Sequence, residues 1–317
     1  MSPARQREKT AAALRSACVA AFALLALALG AGRADALAPE WKAVGSFVLP
    51  GLGQATNGDY ADGAFQFSAA LVLARQYTIL VEKDDYVEPQ DRLNSETNEI
   101  EINRTSFYAD AYGLALLDLS FYSSFSAYRD ARLAERNIGY ATPAPRETIG
   151  DLMVSPFRWE FLSRPTTFIP ILIPLYLALT PADKHRLVYA PDDSITRDEM
   201  GQVSFFQMGG VAIGEEAFFR GVLNNGLSSA YGDGWGLLGS SALFGLAHAG
   251  LPGQANPGTA ALFGLYLGWL HQRNKYEIGE GVAIHFWWNF LLTVSMLAKH
   301  EKSDQRQYVL YAYYARF

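Results

Sequence analysis

Cysteine is nearly absent from this chain of 317 residues, which holds only Cys18. A single cysteine excludes an intramolecular disulfide framework and any zinc site built from cysteines. An excess of positive charge is also absent, because 26 basic residues face 32 acidic ones and give a net charge of −6. The chain therefore lacks the basic character that nucleic-acid binding requires, and we expect no nucleic-acid partner.

Charge itself is missing from four long stretches, although charged residues make up 18% of the chain. Asp, Glu, Lys and Arg are all absent from residues 165–182, 200–214, 234–272 and 281–298. Uncharged apolar runs approaching about 20 residues are what the hydrocarbon core of a bilayer demands. We therefore predict an all-α fold, a multi-pass transmembrane helical bundle, with spans near 165–181, 201–223, 235–250, 257–273 and 280–298.

The amino terminus has the three parts of a secretory signal. Basic residues between positions 5 and 15 precede an uncharged run over 16–32, and residues 34–36 read Ala-Asp-Ala. A basic segment, an apolar segment and a small-residue exit together predict a signal peptide over residues 1–36. An uncleaved signal anchor is the alternative, because the apolar run is nearly long enough to span a membrane.

The rest of the chain divides into three regions. Residues 37–150 predict a membrane-associated helical hairpin, with helices near 61–81 and 107–128 joined by an acidic loop over 82–104. A Pro/Ala-rich stretch at 142–145 marks the boundary to a membrane core over 151–300, and the tyrosine-rich tail 301–317 is interfacial in character. On the second helix, Asp110 and Asp118 are eight residues apart and share one face. They could line a polar groove, but a structural partner such as Arg75 explains them more simply.

The first cluster of reactive side chains is Glu215-Glu216 followed by Arg220. Glu216 and Arg220 are four residues apart on a helix, so they can pair along one face and keep both charges in an apolar setting. Glu215 lies about 100° around the helix from Glu216, so it is not in register with Arg220 and its carboxylate is available for a chemical role. A charge cluster at a membrane boundary, without a reactive role, is the simpler alternative.

Two further polar positions interrupt the uncharged spans. His248 ends one of them, and His285 and Asn289 lie four residues apart in another. Alone, His248 would be a histidine bonded to a carbonyl at a helix end, and the His285–Asn289 pair would bond between helices. Together with Glu215 they supply a base, a group that orients or shares the proton, and donors for an oxyanion. These are the groups that water-mediated hydrolysis of a peptide bond requires.

Glu-Glu-x-x-x-Arg, Phe-x-x-x-His and His-x-x-x-Asn follow one another on successive apolar helices. This order resembles the CAAX prenyl protease and bacteriocin-processing (CPBP) family, intramembrane endopeptidases of the Ras-converting-enzyme type, over residues 200–290. The resemblance implies that Glu215 activates water with help from His248, that His285 and Asn289 stabilise the oxyanion, and that Glu216 and Arg220 are structural or orienting. It makes residues 151–300 the protease core.

The resemblance also bears on cofactors, because the family has often been labelled as metalloproteases. The chain has no His-Glu-x-x-His helix, the usual sign of a zinc protease. If Arg220 neutralises Glu216, then Glu215, His248 and His285 could fill three zinc positions. We favour a glutamate-activated water and no cofactor, with zinc as the alternative.

The predicted function is an intramembrane endopeptidase in the bacterial inner (plasma) membrane. Its partners are the lipid bilayer and a peptide or membrane-protein substrate, and the resemblance suggests a prenylated protein or a leader peptide. A catalytically silent membrane scaffold is one alternative. A proton-coupled transporter, whose intramembrane carboxylates relay protons, is the other.

Overall fold

The structure is a computed structural model that describes residues 38–180, 182, 185–249 and 256–298. This part of the chain is mostly helical, which confirms the all-α prediction. Its helices are α1 (Pro39–Val48), α2 (Leu52–Thr56), α3 (Tyr60–Val81), α4 (Arg104–Ala134), α5 (Ile149–Val154), α6 (Trp159–Leu162), α7 (Pro165–Leu179), α8 (Arg197–Glu215), α9 (Asn225–Tyr231), α10 (Asp233–Ala247), α11 (Pro257–Arg273) and α12 (Gly279–Met296). The predicted signal peptide and tyrosine-rich tail lie outside the described residues.

A small sheet is added to the helices, and it was not predicted. Strands β1 (Leu93–Asn94) and β2 (Glu99–Ile102) pair antiparallel within the expected acidic loop, and β2 pairs in parallel with β3 (Val188–Pro191). In β2, acidic residues alternate with Ile100 and Ile102, whose side chains are buried. This period of two suits a strand with one buried face. The sheet joins the start of α4 to the approach to α8.

Helix α3 carries the strongest membrane signature. Within the described residues, it is the one helix both long and apolar enough to cross a membrane, and α7 is a shorter apolar helix. Most of α3 faces outward, with Phe65 72% and Val72 59% exposed. Large apolar side chains also cover the outer faces of α7 and α10, including Leu179 and Trp235. The multi-pass topology remains a prediction.

Helix α4 is the long central helix of the upstream half. It runs beyond the predicted 107–128 at both ends, and Asn103 caps it by accepting a hydrogen bond from the Ser106 backbone N–H at 2.8 Å. It packs against α1, α3 and α8. The apolar core therefore draws on both sides of position 150, for example through Phe121 and Phe218, whose stacked rings lie 4.6 Å apart. The predicted division at 150 stays a prediction.

The N-terminus of α12 is held by a carboxylate from a distant loop. Glu147 accepts hydrogen bonds from the backbone N–H groups of Ile278 at 2.6 Å and Gly279 at 2.7 Å. Backbone N–H groups at a helix start have no partner within the helix, and a carboxylate there satisfies them. Glu147 thus anchors the helix that carries His285 and Asn289.

The Glu147 carboxyl leads to a prediction about pH. Its burial raises the pKa of Glu147 from 4.5 to about 7 and outweighs the two backbone N–H donors, which act in the opposite direction. A pKa that is higher in the folded protein gives stabilisation that is complete below the unfolded value and is lost as pH rises through the folded value. We therefore expect the wild-type melting temperature in lipid nanodiscs to fall from pH 4.5 to pH 7.

The matched variant is Glu147→Gln, which cannot titrate and has one acceptor oxygen for two N–H groups. Because its amide is uncharged, like the protonated carboxyl group, the variant should be closest to the wild type in stability at low pH, and the wild type should lose stability relative to it as pH rises towards 7. The melting temperature of the variant should also depend less on pH between these values. Parallel pH profiles for the two proteins would contradict the prediction.

Candidate active site

The candidate site centres on a change of helical pitch. Helix α8 ends at Glu215 and continues without a break as a π-helical segment, Glu216–Asn224, which leads into α9. At its end, the backbone N–H of Asn225 donates to the carbonyl of Arg220, five residues earlier. Such π segments occur frequently at functional sites. The regular helix expected over 201–223 is therefore a two-part helix, and the two adjacent glutamates stand on either side of the junction.

Glu216 and Arg220 form the predicted pair in the buried core. Arg220 Nη1 lies 3.1 Å from Glu216 Oε1, and both side chains are 1% exposed. The guanidinium also stacks 4.4 Å from the ring centre of Phe244, and its Nη2 donates to the Gly264 carbonyl at 3.3 Å. Its partners on α10 and α11 tie the π segment to the helices that surround the site.

His285 of α12 stands between the two glutamates. Its Nδ1 lies 2.8 Å from Glu216 Oε1, and its Nε2 lies 3.6 Å from Glu215 Oε2. Because a carboxylate accepts, Nδ1 carries a proton and donates to Glu216. The imidazole ring of His285 is fully buried. Its hydrogen bond to Glu216, which is itself paired with Arg220, holds the ring in one orientation.

His248 is the second histidine close to Glu215. It caps the carboxyl end of α10, where its Nδ1 donates to the Phe244 carbonyl at 2.8 Å. This is the hydrogen bond expected of a histidine at a helix end. It also holds the second nitrogen, Nε2, 4.0 Å from Glu215 Oε2. The Glu215 side chain is 16% exposed, more than Glu216.

Asn289 lies one turn beyond His285 on α12 and is 4% exposed. Among the described residues, neither its amide nitrogen nor its amide oxygen has a hydrogen-bond partner, and the same holds for Glu215 Oε2 and His285 Nε2. Buried polar atoms are nearly always paired, and two of these unpaired atoms, Glu215 Oε2 and His285 Nε2, lie 3.6 Å apart, which indicates a site for an additional molecule.

The predicted residues thus assemble largely as the motifs indicated. Glu215, Glu216, His248 and His285 meet, and Arg220 binds Glu216. Asn289 follows His285 on the same helix. The zinc alternative needs three ligands around one point, and within the described ranges no group of three or more His, Cys, Asp or Glu side chains is arranged to hold a metal ion.

Asp118 is the residue that the sequence interpretation underestimated. Arg75 was its expected partner and that of Asp110, but Asp110 instead pairs with Arg92 at 2.6 Å. Asp118 is buried against α8, where a Cβ on Gly214 would lie 2.9 Å from its Cα. A clue was present, because Asp118 is the lone charged residue between positions 111 and 128, and such residues in apolar helices are commonly functional.

Comparison with protein families gives one match within this region. Residues 202–291 match the family model described as Type II CAAX prenyl endopeptidase Rce1-like. The matched segment runs from α8 into α12 and includes all six residues of the candidate site. Comparisons with curated proteins and with solved structures give no match.

Proposed function

We propose that the chain, whose residues 202–291 match the Rce1-like model of CAAX prenyl endopeptidases, hydrolyses a peptide bond with a water activated by Glu215 and His248. The observation that carries the proposal is the convergence on one Glu215 oxygen of two histidine nitrogens, at 3.6 and 4.0 Å. A carboxylate and an imidazole at this spacing are a pair of groups able to take up and pass on a proton.

The tautomer of His248 suits this role. Its Nδ1–H donates to the Phe244 carbonyl, so the neutral ring has its lone pair on Nε2, facing Glu215. A gap of 4.0 Å is too long for a direct hydrogen bond, but one water molecule can hydrogen-bond both atoms at about 2.8 Å each. A water held in this way donates one proton to Glu215 and directs its oxygen to the substrate.

The oxyanion donors come from α12. The Asn289 amide is buried without a partner among the described residues, so its N–H groups are available to the oxygen that becomes negative during attack. His285 already donates from Nδ1 to Glu216, and its Nε2 can donate to the oxyanion only when the ring carries both protons. We assign the main donation to Asn289 and a second, protonation-dependent donation to His285.

The proposed reaction has two steps. The water oxygen attacks the peptide carbonyl while its proton passes to Glu215, giving a tetrahedral species whose oxyanion accepts from Asn289. The C–N bond then breaks, the carbonyl re-forms, and the proton on Glu215 passes by way of His248 to the leaving nitrogen. Glu216 and Arg220 do not meet the substrate. They position His285 through the 2.8 Å bond to its Nδ1.

The outer surface of the protein is apolar enough to lie in a membrane, which is where a membrane substrate would meet it. Phe206 on α8, Leu246 on α10 and Leu262 on α11 are more than half exposed, and exposed apolar side chains on neighbouring helices are suited to lipid. We propose a multi-pass protein of the bacterial inner (plasma) membrane that cleaves peptides or membrane proteins, with prenylated proteins and leader peptides as candidate classes.

The decisive experiment compares new protein termini in membranes that contain wild-type or Glu215→Gln protein. Termini present with the wild type and absent with the variant would identify substrates and cleavage sites together. A set of termini that is the same in both membranes would overturn the proposed protease function. Repeating the comparison after exhaustive chelation tests the metal alternative, because loss of cleavage restored by zinc would replace the glutamate mechanism.

Asn289→Ala should separate activity from stability. We expect kcat to fall by about 10²–10³-fold, the usual loss on removing one oxyanion donor, with little change in KM. The melting temperature should stay close to that of the wild type, because the amide makes no hydrogen bond with the described residues. Initial rates on a substrate from the terminus comparison, with melting curves of both proteins, check this. A full-rate variant would remove Asn289 from the mechanism.

A further inference from the structure

A cavity of about 470 Å³ lies between α3, α4 and α8. Its wall is formed mainly by apolar and aromatic side chains, among them Leu73, Tyr122, Ile149 and Phe206. Phe206 is 77% exposed, so this side of the cavity adjoins the apolar outer surface. A volume of this size and character accommodates a few apolar side chains or a short alkyl chain.

One carboxylate lies in this apolar wall. Asp118 lines the cavity and is 7% exposed as a residue, and within the described part of the chain it has no hydrogen-bond or ion-pair partner. A Cβ on Gly210 would lie 3.3 Å from its Oδ2, so the absence of a side chain at that position leaves room for the carboxyl group. A buried acid without a partner is costly, and proteins normally avoid it outside functional sites.

The same cavity adjoins the candidate active site along α8, and the six residues of that site lie outside its wall. Gly210, Ile213 and Gly214 of α8 form part of its wall, and Glu215 is the next residue along the chain. Asp118 also lies close enough to Glu215 for the two carboxyl groups to repel each other. A substrate segment held in the cavity would therefore be within a few residues of the bond presented to Glu215.

From this geometry we propose that Asp118 is a specificity-determining residue. The cavity binds an apolar segment of the substrate next to the cleaved bond, and Asp118 forms an ion pair with one basic side chain, Lys or Arg, in that segment. The inference rests on the proposed function, because it assigns a role in substrate selection to a cavity beside Glu215.

Charge complementarity favours this occupant over others. A lysine or arginine supplies the partner that Asp118 lacks, and its methylene stem packs on the apolar wall. A purely apolar segment would leave the carboxyl group unpaired, and an acidic one would add repulsion from Asp118 and Glu215. A site with one buried polar group discriminates mainly by rejecting substrates that leave the group without a partner.

The test measures binding separately from cleavage. Glu215→Gln protein is placed in phosphatidylcholine nanodiscs, whose zwitterionic lipid does not itself attract cations. Its affinity is measured for a fluorescent apolar decapeptide that carries one lysine at each position in turn, and for the same peptides with norleucine, the uncharged analogue. We expect the best lysine peptide to bind about 10- to 100-fold more tightly than its norleucine counterpart.

In the Glu215→Gln protein, adding Asp118→Asn should reduce the ratio of lysine-peptide to norleucine-peptide affinity to near one. Adding Asp130→Asn instead should leave that ratio unchanged. Asp130 is on the same helix but outside the cavity, so it is a matched control. A purely structural role for Asp118 would lower both affinities together and preserve their ratio. Equal affinities for lysine and norleucine peptides at every position, or a ratio that survives Asp118→Asn, would overturn the inference.

The sites of cleavage provide a second, independent test of the role of Asp118. Among the termini that depend on Glu215, sites should be enriched in Lys or Arg near the cleaved bond, and Asp118→Asn should abolish the enrichment. Glu215-dependent termini without this enrichment would reject the role of Asp118 and leave the protease function standing. Absence of any Glu215-dependent terminus would reject the protease function, whereas the peptide-binding ratio would still decide whether Asp118 selects cations.

Discussion

Purified Glu215→Gln protein should bind its substrate as the wild type does but cleave it about 10²–10⁴-fold more slowly, the usual contribution of a general base. Glutamine has nearly the shape of glutamate but cannot accept the proton of the attacking water. The side chain forms no ion pair with Arg220 that the fold depends on, because Arg220 is paired with Glu216. Single-turnover cleavage in nanodiscs measures the chemical step directly.

Glu277→Gln is the matched control, because Glu277 is an exposed glutamate near the start of α12. It should cleave at the wild-type rate. If Glu215→Gln also retained that rate while folded and bound to substrate, Glu215 would not be the base. Loss of binding together with cleavage would point instead to a role in holding the substrate.

Arg220→Met should destabilise the fold more than any of the other single substitutions, by about 3–5 kcal/mol. Methionine fills much of the arginine volume but leaves the Glu216 carboxylate buried beside His285 without a cation. The cost arises because Glu216 is 1% exposed and has no access to water. Unfolding by detergent titration in micelles measures the difference, and the cleavage assay should show little activity in the same variant.

A double variant tells whether the pair serves stability or positioning. Glu216→Leu with Arg220→Met replaces both charges by apolar groups, which often restores most of the lost stability. His285 would then lack the acceptor of its Nδ1, so cleavage should remain impaired although the protein is stable. A double variant no more stable than Arg220→Met alone would contradict this assignment.

Much of the helical framework could be predicted because uncharged runs must form helices in an apolar setting. The runs expected at 165–181, 235–250, 257–273 and 280–298 correspond to helices Pro165–Leu179, Asp233–Ala247, Pro257–Arg273 and Gly279–Met296. The motif spacing likewise anticipated that Glu216 and Arg220 pair. Both inferences depend on local chain geometry, which a sequence records directly.

Features that depend on distant parts of the chain could not be predicted in this way. Strand β2 pairs with β3 about 90 residues later, and nothing in either segment identifies the other. The anchoring of α12 by Glu147 and the burial of Asp118 against Gly214 are contacts of the same kind. The tautomer of His285 also follows from a partner 69 residues away.

The π-helical segment Glu216–Asn224 affects how the protein can change during evolution or engineering. In an α-helix each residue turns the chain by about 100°, whereas the wider π turn rotates it by less. The direction in which α9 leaves the site therefore depends on how many residues the segment contains. Inserting or removing one residue there would rotate the remainder of the helix against α10 and α11. Substitutions can be absorbed one by one, but the length of this segment is under a stricter constraint than its composition.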